Sequence, residues 1–104
     1  MLLVTTETIE GKNIKEVLGI VQGTIVQSKH IGKDIMASFK TIVGGEIKGY
    51  SQMVTEARQK ATERMIAQAE ELKADAIVGI RYASSSVVQG ASEILVYGTA
   101  VKLK

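Results

Sequence analysis

A chain of 104 residues, 45% hydrophobic and 4% aromatic, with ten glycines and neither proline nor cysteine, is long enough for one small core and too short for two. Thirteen basic and 11 acidic side chains are interleaved to a net charge of +2, which excludes the strong positive field that would make nucleic acid the default partner. The absence of cysteine excludes disulfides, zinc-thiolate and iron-sulfur centres and thiol catalysis.

The apolar start Met1 to Val4 breaks off at Thr5-Thr6-Glu7-Thr8, too soon for a signal peptide or a membrane span. The expectation is a cytoplasmic protein without a membrane partner. Leu2 to Thr5 reads as a short strand and Glu10-Gly11-Lys12-Asn13 as a turn. Ile14 to Ser28 is dense in β-branched residues and reads as one long strand. Strict alternation places Val17, Gly19, Val21, Gly23 and Ile25 on one face. Glu16, Leu18, Ile20, Gln22, Thr24 and Val26 fall on the other, so neither face is cleanly polar and both call for cover.

After the loop Lys29-His30-Ile31-Gly32-Lys33, Asp34 opens a segment whose apolar residues Ile35, Met36, Phe39, Ile42 and Val43 have the spacing of a short helix. Gly44-Gly45 breaks it. A long helix is expected from Glu46 to about Lys73, with the apolar stripe Tyr50, Met53, Val54, Ala57, Ala61, Met65, Ala69 and Leu72. Ala76 to Tyr82 reads as a strand, Ser84 to Ser92 as a loop or ragged hairpin around Gly90, and Glu93 to Leu103 as a last strand. The order β-β-α-α-β-β makes residues 1–104 a single α+β domain. Its mainly antiparallel sheet is expected to be covered on one side by a short and a long helix.

Length points beyond the monomer. A compact domain of this size has a radius of gyration of about 13 Å and a diameter of roughly 34 Å, whereas a 15-residue strand reaches roughly 50 Å. Something must bend or protrude, and the second apolar face of the sheet then needs a partner. A second copy of the same chain supplies one, which makes a cyclic homo-oligomer the leading expectation.

His30 is the only imidazole, and Asp34 four residues on could add a second metal ligand on one helix face. Two ligands fall short of the three or four a zinc site uses, so a divalent metal site requires copies of His30 gathered round a symmetry axis. No other cofactor is expected. A serine nucleophile drawn from Ser28 or the Ser84 to Ser86 run lacks the Gly-x-Ser-x-Gly elbow. Gly44, Gly45 and Lys48 at the start of the long helix form a candidate anion site, although their order is not that of a phosphate-binding loop. Arg58, Arg64 and Arg81, among many glutamates, are expected in solvated or interface ion pairs. An intersubunit pocket in which Arg58, Glu63 or Tyr50 converged would favour an enzyme.

Five stretches carry a family likeness: Gly44-Gly45-Glu46 with Gly49-Tyr50, Ala57-Arg58, Arg64-Met65, Ala74 to Arg81, and Tyr97-Gly98-Thr99-Ala100-Val101. By these the chain resembles the YbjQ-like family of small bacterial and archaeal proteins, labelled heavy-metal-binding and without an established reaction. The resemblance runs from the first strand to the last. It implies a subunit similar to the dodecin-like β-α-β-β units, assembled as a homopentamer with short extra strands at the subunit contacts. Two departures stand out. Lys73 occupies a place where the family commonly has glycine, so the turn after the helix is expected to pass to Asp75, and the cysteine that some relatives carry near the last strand is missing. The functional expectation is a non-enzymatic homo-oligomer presenting a binding surface or intersubunit cavity. Metal binding through His30 and Asp34 is the alternative, and an enzyme with an intersubunit site the third.

Overall fold

Two one-residue bulges decide which side chains enter the core. In the computed structural model, which describes residues 1–28, 42–43, 46–88 and 91–104, a four-stranded mixed sheet has the order β1-β5-β6-β2. Its strands are β1 (Leu2–Leu3), β2 (Ile14–Ser28), β5 (Ala76–Val88) and β6 (Ala91–Leu103). β1 runs parallel to β5, and the other pairings are antiparallel. The separate two-stranded piece β3 (Ile42–Val43) with β4 (Glu46–Ile47) precedes α1 (Lys48–Glu71), which packs across one face of the main sheet. The chain is thus α+β, as its sequence reads. Among the described residues no helix is long and apolar enough to cross a membrane.

Several boundaries differ from the sequence reading. Ile42–Val43 and Glu46–Ile47 are strands, so α1 starts two residues later than expected, and the rest of the anticipated short helix lies outside the described residues. The first strand ends at Leu3, although Val4 still exchanges backbone hydrogen bonds with Ile77 and Ile80 at 3.0 and 3.1 Å. Of the two readings of Ser84 to Ser92, loop or ragged hairpin, the hairpin holds: Ser84, Ser85 and Ser86 continue β5 opposite Ile94, Glu93 and Ser92, with a register shift before Val88. Pairing with a long, β-prone partner overrides the weak strand preference of serine.

In β2 the register shifts by one residue between Val17 and Gly19, and Gly19 takes φ 132°. An extra residue reverses the alternation, so Leu18 joins Val21, Gly23 and Ile25 beneath α1, whereas Val17 turns outward beside Ile20. In β5 the shift falls between Val78 and Arg81, with Gly79 at φ 62°. Ile77 and Ile80, three apart, therefore both face the helix, and the amide of Gly79 is redirected to donate to Thr6 O at 2.8 Å. Only glycine adopts that backbone without penalty.

The main core lies between α1 and the sheet. Ala57, Ala61, Met65 and Ala69, four apart, pack on Val21, Ile77, Ile80, Ile94, Val96 and Ala100. On the opposite face, Val4 and Ile9 of the N-terminal segment cover Ala76, Val78 and Val101 at one end only. The rest of that face is open, with Val17, Ile20, Val26 and Tyr97 exposed. The radius of gyration is 16.7 Å and the extents are 52 × 28 × 17 Å, so the long strands do protrude beyond a compact domain of this length.

At the end of α1 the amide of Lys73 donates to Glu70 O at 2.9 Å and that of Ala74 to Ala69 O at 3.0 Å, with Lys73 at φ 59°. This is a Schellman cap with lysine in the left-handed position, so the turn does not pass to Asp75, and Leu72 lies outside the stripe, exposed. Asp75 instead accepts from the Leu103 amide through Oδ2 at 2.9 Å. Because a left-handed L-residue costs about 1–2 kcal/mol, and glycine returns part of that in unfolded-state entropy, Lys73→Gly is expected to stabilise the fold by about 1 kcal/mol. Urea unfolding followed by circular dichroism measures it; an unchanged or lower midpoint contradicts it.

Candidate functional site

Beyond the core, the helix-facing side of the sheet changes character row by row. Directly paired residues give Gly23, Val96 and Tyr82 as one row, Ile25, Ile94 and Ser84 as the next, and Gln27, Ser92 and Ser86 as the last. Apolar side chains thus give way to hydroxyls and an amide toward the N-terminal half of α1. Between helix and hairpin lies a groove of about 170 Å³ lined by Val54, Arg58, Tyr82, Ala83, Ser84 and Ile94. It adjoins a wider hollow of about 450 Å³ through Val54, Ser84 and Ile94.

One hydrogen-bond chain sets the polarity of the groove. Thr62 Oγ1 donates to the carbonyl of Arg58 one turn back at 2.8 Å and lies 3.0 Å from Tyr82 Oη. A hydroxyl has one proton, so with Thr62 committed to the carbonyl, Tyr82 is the donor in the second bond. The phenol is held in place, with its lone pairs left to accept.

The three arginines have different fates. Arg64 donates to Thr24 O at 2.7 Å, and Arg81 to Thr5 O and Ile80 O at 2.7 and 2.8 Å, so both hold backbone carbonyls instead of the expected carboxylates. Arg64 and Gln68 Oε1, which accepts from the Gln22 amide at 2.9 Å, satisfy one carbonyl and one amide on the free edge of β2. Arg58 has no acceptor among the described residues.

His30, Asp34, Gly44 and Gly45 lie outside the described residues, and Lys48 is the first residue of α1. Glu63 is exposed on α1 and does not line the groove. Sequence reasoning missed Tyr82 and Ser84 as groove residues. Their signal was the period-two continuation of β5 through Tyr82, Ser84 and Ser86, masked by the loop-like composition of the serine run.

The family model described as "Putative heavy-metal-binding" matches residues 1–104. This chain belongs to the YbjQ family. Relatives of the YbjQ family include a UPF0145 protein of Thermosipho africanus, 64% identical over all of this chain and 96% of its own length. Others are UPF0145 proteins of Thermotoga maritima and Colwellia psychrerythraea, each 59% identical over all of this chain and covered to 98% and 99%. In three dimensions the chain is similar to a protein of unknown function of the DUF74 family from Pediococcus pentosaceus. The TM-score is 0.67 at 18% identity, covering 100% of this chain and 98% of that one, a likeness of fold. The metal description can be set against the side chains. Among the described residues no three His, Cys, Asp or Glu side chains come together, and Asp75 is engaged with the Leu103 amide, so these residues do not form a metal site.

Proposed function

We propose that this YbjQ-family protein is a non-enzymatic binding module that works as a cyclic homo-oligomer, pentameric as the family resemblance implies, and presents a binding surface or an intersubunit cavity. The observation that carries this reading is the open sheet face. Ile20 is 79% exposed, Val17 63% and Val26 57%, aligned on one face beside Tyr97. A monomer would leave these strand residues in water, whereas a ring of identical copies covers them and leaves no free patch. Native mass spectrometry tests the reading. The expected species is a multiple of the 11.2 kDa chain, which Ile20→Lys dissociates by placing a charge in the contact. A wild-type protein that stays at 11.2 kDa at micromolar concentration overturns it.

The family description favours a second reading, metal handling, which in this chain would rest on His30 and Asp34 supplied by several copies. Equilibrium dialysis against zinc, nickel and copper decides it. Stoichiometric uptake abolished by His30→Ala establishes that reading, and uptake indifferent to His30→Ala removes it.

A further inference from the structure

We propose that the groove between α1 and the β5–β6 hairpin binds a small hydroxylated organic anion, its phosphate or carboxylate head on Arg58 and its hydroxyls along the serine rows. The inference specifies the ligand class of the binding module proposed above. Three independent features converge on it.

The first is an uncommitted guanidinium. Of three arginines, two are held by backbone carbonyls at 2.7–2.8 Å, while Arg58, on the groove, has no acceptor among the described residues. A guanidinium presents its donors as a planar fork that fits the two oxygens of a carboxylate or phosphate. The second is the Tyr82 hydroxyl. Its proton is directed to Thr62, so it offers lone pairs to a ligand hydroxyl and not a proton to the anionic head. Head and body are thereby placed at different points.

The third is the polar surface beside them. The row Gln27, Ser92 and Ser86 lies across three paired strands, with Ser84 one row nearer the core. These residues share the face that a few residues along is filled by Val21, Val96 and Ile80. The Gln27 side-chain nitrogen reaches Met53 O at 3.5 Å, which leaves its carbonyl oxygen to accept. Three serines and a glutamine on one sheet face, beside the apolar Val54 and Ile94, suit a body with several hydroxyls and little apolar surface. A groove of about 170 Å³ has room for the head and the carbons next to it.

Calorimetric titration of the full chain at low salt tests this with four probes: glycerol phosphate, glycerate, inorganic phosphate and glycerol. Glycerol phosphate or glycerate is expected to bind with a Kd of about 1 mM or tighter, the better of the two identifying the head, and glycerol to give no signal. Arg58→Gln should weaken the bound probe about tenfold or more, with Arg58→Lys between it and wild type. Ser84→Ala combined with Ser86→Ala should weaken the hydroxylated probe and leave inorganic phosphate unchanged. Because all three side chains are exposed, the thermal midpoints of these variants should match wild type. Binding unaffected by Arg58→Gln, or no heat with any oxyanion, overturns the proposal. Inorganic phosphate binding as tightly as glycerol phosphate overturns the hydroxylated class. The mass of each sample by light scattering separates the two readings: an oligomer that binds no anion refutes this inference alone, and a monomer that binds one refutes only the ring.

Discussion

Replacing Gly23 with valine is expected to destabilise the protein by about 3 kcal/mol or more, although valine is among the best strand formers and glycine among the worst. A Cβ at this position would be driven into the carbonyl of Ala61 and would lie 2.9 Å from the amide nitrogen of Met65. Both are helix backbone, so no rotamer change can make room, and α1 as a whole would have to lift from the sheet. That separation would loosen the contacts of Ala57, Ala61 and Met65 with β2 and β6 together. Gly98 is the internal comparison. A Cβ there meets the side-chain tips of Ile77 and Ile80 at 2.7 and 3.1 Å and Val78 O at 3.0 Å, and the two isoleucines can shift. Gly98→Ala should therefore cost less than Gly23→Ala. Urea unfolding of both pairs reads the difference, and a Gly23→Val protein as stable as wild type would show that the helix is not seated this closely.

Met65→Ala is expected to cost about 2–5 kcal/mol. Met65 is fully buried and heads the fully buried side chains by volume, in a helix stripe whose other buried members are alanines. Alanine neighbours bring the backbone of α1 close to Gly23 but fill little space, so one flexible side chain occupies much of the layer between helix and sheet. Its removal leaves a cavity that the alanines of the same helix stripe are too small to fill. Met65→Leu, which conserves volume, should cost less than about 1.5 kcal/mol. Equal losses for the two substitutions would mean that shape and not volume governs the site.

Most of this fold was legible in the sequence because it rests on local pattern. The density of β-branched residues from Ile14 to Ser28 marked β2 to its last residue, and the spacing of Ala57, Ala61, Met65 and Ala69 marked the buried face of α1. The mismatch between strand length and chain length already called for a protruding shape, and the extents agree. The serine run left two readings open, a loop or a ragged hairpin, for the opposite reason. Its composition is that of a loop, and only pairing with β6 keeps Ser84 to Ser86 extended.

Less of the candidate site was legible. Arg58, Arg64 and Arg81 are equivalent as letters, and the sequence offers each the same glutamates. Only their places in the fold hold two of them on backbone carbonyls and leave Arg58 facing a groove.

By itself, then, the sequence determined the element types, the helix stripe, the apolar character of both sheet faces and the absence of thiol chemistry, because each follows from residue type and period. Tertiary structure alone decided which glycines became bulges, that Lys73 takes the left-handed cap, which face of β2 each valine joins, and which arginine is left without an acceptor among the described residues. A bulge is a choice between registers, and a hydrogen bond can join residues 76 positions apart, as it does Arg81 and Thr5; no local pattern encodes either.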